Sequence, residues 1–441
     1  ATGSLAASST GALNLGSGHV AGTLLASSGG AISQSGALTV TGTASLGAGT
    51  DIALTNAGND FQGALSLTGL AVRVTDSNNL LLGAINAGGA LTLAVGGTAT
   101  TTAALTAGSV ALDAGTLRAN HALTTGSVQV APGAAIAGTG AISGAVAVAS
   151  GGTLAGTSGQ TLTMGSLTLG SGATVAATLG APGAAQLFQV NGALTLDGAV
   201  NVSDMGGFRA GVYRLFNYSG ALTDNGLDIA TSPSGSQLTV QTAAAGEVNL
   251  VNTGGQTLNF WDGNAAGAAA NGAVDGGNGT WTATSTHWTT ADGLVNASMS
   301  PTPGFAIFQG TPGTVTVSNA QGPVAVTGMQ FASNGYRLTG DAIALSGSRA
   351  AIRVGDGSSA GAGYSATISN ALTGTAQLEK TDAGTLVLTG ANTYSGGTLV
   401  SGGTLVGGIR SFGTGAIENH GALVIDEASN GVFSNTLSGD G

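Results

Sequence analysis

The fold this sequence predicts is all-β, a right-handed parallel β-helix. Three observations predict it. The first is composition. Glycine supplies 80 of 441 residues and charged residues only 7%, against about 7% glycine and about 25% charge in ordinary globular domains. Charged helix formers are scarce, Lys380 being the single lysine, and the remaining Gly, Ala, Thr, Ser, Val and Leu suit strands and turns. The second is local patterning. Short bursts such as Gly36-Ala-Leu-Thr-Val40 place their third and fifth residues on one face, because strand side chains alternate with period two. The third is spacing. Gly108, Gly126 and Gly144 begin such bursts 18 residues apart (126 − 108 = 18, 144 − 126 = 18), and from Gly36 to Gly63 the gap stretches to 27 (63 − 36 = 27). A period near 20 with loop insertions marks a solenoid, in which each turn buries its apolar face only against the next. A hydrophobic content of 42% separates the chain from disordered sequences of similar simplicity.

Residues 1–186 form the first predicted segment, a β-helix. Its bursts are Gly11–Leu15, Gly36–Val40, Gly63–Leu67, Gly89–Leu93, Gly108–Leu112, Gly126–Val130, Gly144–Val148 and Gly165–Leu169, and Phe61 is its single aromatic residue. Residues 187–255 change texture: Phe188, Phe208, Tyr213, Phe216 and Tyr218 arrive, and Gly211–Gly220 reads as a longer strand with bulkier packing. Such an element would cap a solenoid, whose open end otherwise offers unpaired strand edges. Residues 256–313 hold all three tryptophans, Trp261, Trp281 and Trp288, around an Ala/Gly/Asn loop from Gly263 to Gly279. This segment is an insertion or the start of a second β-helix. Residues 314–441 return to short strands.

The last segment contains the most informative run, Leu378 to Gly408. It reads as three short strands, Thr385–Leu388, Thr398–Val400 and Thr404–Val406, separated by glycine turns. Leu386, Leu388, Leu399 and Leu405 are expected in one aliphatic stack.

The run GTLVLTGANTYSGGTLVSGGTLVGG, from Gly384 to Gly408, resembles the passenger-associated repeat of bacterial autotransporters. Its Gly-Thr-Leu-x-Leu strand, its Gly-x-Asn-x-Tyr with Asn392 and Tyr394, and its two Gly-Gly-Thr turns all match. Asn59-Asp-Phe-Gln-Gly63, leading to Ala71–Asn78, is similar to repeats of filamentous-haemagglutinin β-helices. The Gly211–Gly220 region looks similar to the capping, autochaperone-like element of such passengers, and Trp261-Asp-Gly263 with Phe305–Gly310 resembles a recurrent block in them.

The resemblance implies the surface-exposed passenger of an autotransporter-type adhesin from a Gram-negative bacterium. It would be exported by type V secretion and held at the outer membrane through a part not in this chain. It would act as a rigid stalk and a shallow, repeated binding surface. Expected partners are host or neighbouring-cell ligands, glycans among them, or like copies of itself. Two other classes stay open: a filament or sheath protein, and a β-helical polysaccharide-degrading enzyme. The first basic residue is Arg73, and Thr436 to Gly441 looks like the entry to another repeat, so a processed or excised piece is expected.

Chemistry is sparse. A formal charge of −11 and a pI near 4.4 disfavour nucleic acid and anionic membrane as partners. No apolar run reaches membrane-spanning length. Cysteine is absent, which removes disulfides and thiolate metal sites. The 20 acids are scattered, mostly beside glycine as in Asp197-Gly, Asp262-Gly, Asp275-Gly and Asp356-Gly, and read as turn formers. His19, His121, His287 and His420 lie too far apart in sequence to suggest a metal set, and no G-x-S-x-G elbow occurs. No catalytic residue, metal or cofactor is expected. Trp281 and Trp288 are the candidate ligand-binding residues, since aromatic faces stack on sugars. The competing reading is a local mini-core where the loop leaves the regular helix.

Overall fold

The computed structural model describes residues 3–181, 186–428 and 430–441. Among them there is no α-helix, only one short 3-10 turn at Ser359–Gly363. The strands gather into two compact units.

The first unit comprises Ala1–Thr178, Phe188–Val202 and Tyr218–Thr231. It is a parallel β-solenoid with three strand rows. One row brings equivalent apolar residues into register turn after turn: Leu13, Ile32, Ile52, Val72, Leu91, Val110, Val128, Val146, Leu167, Leu194 and Leu222. From Ile32 to Leu194 all of them are buried. A second row stacks Leu5, Leu24, Ala44, Leu65 and Leu82. A third runs through Thr98, Thr116, Ala135, Thr153 and Thr174. The third and fifth residues of the bursts from Gly36 to Gly165 are all core residues, for example Leu38 and Val40, Leu91 and Leu93, Val128 and Val130. Each buried Val or Leu contributes roughly 1.5–3 kcal/mol, and only the adjacent turns supply the apolar cover.

Asn59 explains one motif of this unit. It is fully buried where the chain turns a corner. Its Oδ1 accepts from Leu38 N at 2.9 Å and Gln34 Nε2 at 2.7 Å. Its Nδ2 donates to Gln34 Oε1 at 2.9 Å and Thr75 O at 3.0 Å. The amide thereby satisfies backbone groups that a corner leaves without strand partners. Phe61 follows it into the core.

The second unit comprises Leu179–Leu187, Ser203–Asn217 and Ser232–Gly441. Its main parallel row runs Leu258–Trp261, Gly304–Phe308, Val324–Phe331, Arg349–Val354, Gln377–Thr381, Thr398–Val400, Ile417–Asn419 and Leu437–Gly439. The opposing row runs Gly279–Trp281, Thr314–Val317, Arg337–Gly340, Ser365–Ile368, Thr385–Leu388, Thr404–Gly407 and Ala422–Ile425. Two antiparallel pieces interrupt the pattern. Gly211–Tyr218 and Leu238–Gln241 flank Glu247–Asn252. Trp288–Thr289 pairs with Leu258–Trp261 on one side and Asn296–Ala297 on the other.

The repeat around residue 392 is a set of ties between turns. Asn392 Oδ1 accepts from Leu372 N at 2.7 Å and its Nδ2 donates to Ser411 O at 2.6 Å. Leu386 and Leu405 stack in register and Leu388 is buried, as expected. Leu399 departs from the expectation. It sits between Glu379 and Glu418 on the outer face, while Thr398 and Val400 point inward. The reason is polar: Thr398 Oγ1 lies 2.6 Å from the buried Tyr394 hydroxyl and donates to Phe412 O at 3.1 Å. Those bonds fix the inward face, and a one-residue shift of register exchanges every side chain of a strand.

Candidate functional site

The second unit holds the unusual chemistry, in an aromatic cluster and a block of buried charge. The aromatic cluster contains the two residues singled out from sequence. Trp281 and Trp288 are each 1% exposed and Trp261 is 0% exposed. Trp288 meets Trp281 edge-on at 4.9 Å between ring centroids and Trp261 at 5.1 Å. Phe308 packs beside all three and stacks on Phe331 at 5.0 Å. Trp261 Nε1 donates to Gly277 O at 2.9 Å, tying the Gly263–Gly279 loop to the cluster. The structure thus brings Trp281 and Trp288 together and turns no ring face to solvent. Edge-to-face rings of this kind add to stability beyond the area they bury. His287, their polar neighbour, packs edge-on to Trp261 at 5.7 Å.

The block of buried charge was not foreseen. In the main parallel row, Ile307, Gln330, Arg353 and Thr381 stand in register on the outer face. The Gly211–Tyr218 strand covers that face. Gln330 Oε1 accepts from Val212 N at 2.8 Å, and its Nε2 donates to Val212 O at 3.1 Å and Gly355 O at 2.9 Å. Arg353 pairs with Asp382 through Nε at 3.1 Å, donates to Ala210 O at 2.6 Å, and lies 4.9 Å from the Tyr213 ring centroid. A Cβ at Gly211 would lie 1.8 Å from Arg353 Nη1, so only glycine lets the guanidinium approach this closely. Arg214 reaches Glu247 at 2.6 Å and Asp356 at 3.2 Å, and donates to Asn249 Oδ1 at 2.8 Å. Glu379, 2% exposed, takes Arg209 at 2.9 Å, Arg349 at 3.3 Å and Ser401 Oγ at 2.8 Å.

These charges are matched to their surroundings. Burial alone would raise the Glu379 carboxyl, but the bonds from Arg209 and Ser401 and the two arginine charges hold it below the usual range. Burial raises Asp262, whose carboxylate accepts from Asp275 N at 2.9 Å and Asn296 Nδ2 at 2.8 Å. Lys380 points into the solenoid core, in register between Ile352 and Val400. Its ammonium donates to Thr381 O at 2.8 Å, Asp382 O at 2.9 Å and Gly402 O at 3.2 Å. Burial pushes it down to about 8, against the pull of Asp382. Several acids taken from sequence as turn formers therefore do more: Asp356 and Asp382 are buried and paired with arginines and Asp262 is buried and hydrogen-bonded, whereas Asp197 does cap its own turn at 2.7 Å. One signal was available in the sequence. Arg353 stands between Ile352 and Val354 in a chain with nine Lys and Arg in all, and a cation inside an apolar strand needs a buried partner.

The first unit offers a different surface. Thr92, Ala111, Gln129, Ala147, Thr168, Thr195 and Thr223 stand one above another on an outward column. Such a column offers one small polar or methyl contact per turn. Among the described residues, no three His, Asp or Glu side chains converge as a metal-binding group.

Residues 378–406 match the family described as passenger-associated-transport-repeat. Residues 2–68 match a family described as repeats of unknown function. A relative named "Adhesin BmaC autotransporter", from Brucella suis biovar 1 (strain 1330), is 51% identical over 244 residues. That match covers 53% of this chain and 7% of the relative, so the chain corresponds to a small part of that protein's length. No solved structure matches the chain. The resemblance read from Gly384–Gly408 and the β-solenoid fold both hold: the chain is a β-solenoid carrying an autotransporter passenger repeat and similar over half its length to an autotransporter adhesin.

Proposed function

We propose that this chain is a stretch of the surface-exposed passenger of an autotransporter adhesin and works without catalysis. It holds shallow, repeated contact surfaces away from the cell. The observation that carries this reading is the passenger-associated repeat at residues 378–406, in a chain 51% identical to an autotransporter adhesin over 244 residues. The solenoid supports it physically. A stack of parallel turns resists bending and presents the same outward positions at every turn, so weak contacts add along its length. The polar columns of the first unit fit such a surface. Its partners are host or neighbouring-cell ligands, and it reaches the cell surface through the outer membrane. Within it, the antiparallel Gly211–Tyr218, Leu238–Gln241 and Glu247–Asn252 strands act as a capping element. Their strongest support is the buried charge under them, which gives those strands a unique docking position.

The test couples the purified 441-residue chain to beads and counts attachment to cultured host cells and to Gram-negative cells, against beads carrying albumin. Attachment well above the control is expected, with no release of reducing ends or unsaturated sugars from polysaccharide substrates. Attachment equal to the control on every surface, or sugar release that is lost on changing an Asp or Glu group, overturns the reading.

A further inference from the structure

The second unit contains a small polar pocket beside the antiparallel strands, which meets the buried charge at Arg209. Its volume is about 210 Å³, and Asp204, Phe208, Arg209, Pro233, Asn252 and Gln256 are among its walls. That is below the about 300–1,000 Å³ of pockets for drug-sized ligands, so it has room for one ring rather than a chain of them.

The pocket is built rather than incidental. Tyr213 Oη accepts from Arg209 N at 2.7 Å and donates to Arg209 O at 3.0 Å, and Asn252 Nδ2 donates to the same carbonyl at 3.0 Å. A loop residue clamped at both backbone groups holds its side chain in place, and Glu379 fixes the guanidinium from behind at 2.9 Å. The Arg209 side chain is nonetheless 48% exposed, so part of its donor fork faces solvent. Asp204 Oδ1 accepts from Gly206 N at 2.7 Å and Phe208 N at 3.3 Å, which positions the half-buried Phe208. The Phe208 ring is braced against Tyr213 with centroids 4.6 Å apart.

The chemistry selects a ligand class. Arg209, Asp204 and Gln256 are planar polar groups able to bond two neighbouring hydroxyls at once. Phe208 supplies an aromatic wall for an apolar ring face. Arg209 and Arg349 share Glu379, and Asp204 supplies a second negative charge, so the two cations and two anions balance and an anionic ligand finds no net positive charge to meet. We propose that this pocket binds a single neutral hexopyranose residue of a cell-surface glycan. The proposal rests on the adhesin reading and gives it one ligand class.

Saturation-transfer NMR on the full chain tests it, with methyl α-glucoside, methyl α-galactoside, methyl α-mannoside and methyl β-glucuronide as probes. Transfer to at least one neutral glycoside and weaker transfer to the glucuronide are expected. Phe208→Leu, which keeps an apolar side chain but removes the ring, and Gln256→Ala, at an exposed position, should each weaken that binding at least tenfold. Circular dichroism of both variants should be unchanged. No transfer to any neutral glycoside, preference for the glucuronide, or full binding in both variants overturns the pocket. Bead attachment separates the two ideas. Undiminished attachment by a chain that binds no glycoside sinks the pocket and leaves the adhesin reading standing, whereas a chain that binds glycoside but attaches to nothing sinks the adhesin reading.

Discussion

In the first unit the column from Ile32 to Leu194 is aliphatic at every turn, whereas in the second the column from Ile307 to Thr381 passes through Gln330 and Arg353. Both columns belong to parallel solenoid rows with the same backbone pairing. The difference is what covers them. The first column faces the solenoid interior and needs only its neighbours. The second lies on the outside of its sheet, under the Gly211–Tyr218 strand, whose backbone brings polar groups into a dry interface. Those groups must be met by others, and a charge without a partner there costs several kcal/mol. Solenoid turns are thus stabilised generically by apolar stacking, while a covering element is positioned specifically by polar pairing.

The two units can be followed separately, because Trp261, Trp281 and Trp288 all belong to the second. Tryptophan emission reports on that unit, and circular dichroism reports on both. The largest effect is expected from Arg353→Met. It leaves Asp382 buried without its partner and should cost about 3–5 kcal/mol, read as a shift of the emission transition in urea. Adding Asp382→Gly should recover much of the loss, since it removes the stranded carboxylate and suits a φ of 65° that glycine adopts freely. A double variant as unstable as the single one contradicts the pairing account.

Next in size is Leu91→Ala in the first unit, expected to cost about 2–5 kcal/mol. Because turns touch only their neighbours, this loss should appear by circular dichroism while the emission midpoint stays put. Movement of both midpoints together would show that the two units unfold as one. Asn392→Ala should cost less, about 1–3 kcal/mol, through Leu372 N and Ser411 O left without a partner. It should shift the emission transition alone, and an unaltered midpoint would remove the repeat asparagine from the account of stability.

The smallest effect concerns pH. Lys380 gives up its proton near pH 8 when folded, because burial penalises the ammonium, and near 10.5 when unfolded. Between those values the unfolded chain binds more protons, so the stability of the second unit should rise with pH. Burial raises Tyr336, Tyr364 and Tyr394, so the unfolded chain loses phenol protons first and stability falls again above about pH 10. The first unit has no lysine and should respond less. Urea midpoints by emission that decline steadily from pH 8 to 9.5 would refute the buried-ammonium assignment.

Much of the fold is legible in the sequence. Gly-Ala-Leu-Thr-Leu bursts about 20 residues apart place Leu91 and Leu93 in the core by alternation alone, and stacking follows because one turn has nothing else to bury them against. The repeat signature was legible too, down to Asn392 and Tyr394. Less of the site could be read. The burial of Trp281 and Trp288 depends on Trp261, Phe308 and Phe331, which come from other turns. Asp382 and Asp356 look like any turn aspartate until Arg353 and Arg214 arrive beside them, from 29 and 142 residues away (382 − 353 = 29, 356 − 214 = 142).

The sequence by itself determined the architecture and the spacing of its turns, because periodicity and glycine placement act locally and repeat. Only the tertiary structure decided direction and partnership. Thr398-Leu399-Val400 alternates as well with leucine inward as with threonine inward, and the Tyr394 hydroxyl and the Phe412 carbonyl chose threonine. Gly211 could be any turn glycine until the Arg353 guanidinium fills the space where its side chain would be. Side-chain alternation is a property of one strand, but which face is buried depends on groups that only the folded chain brings together.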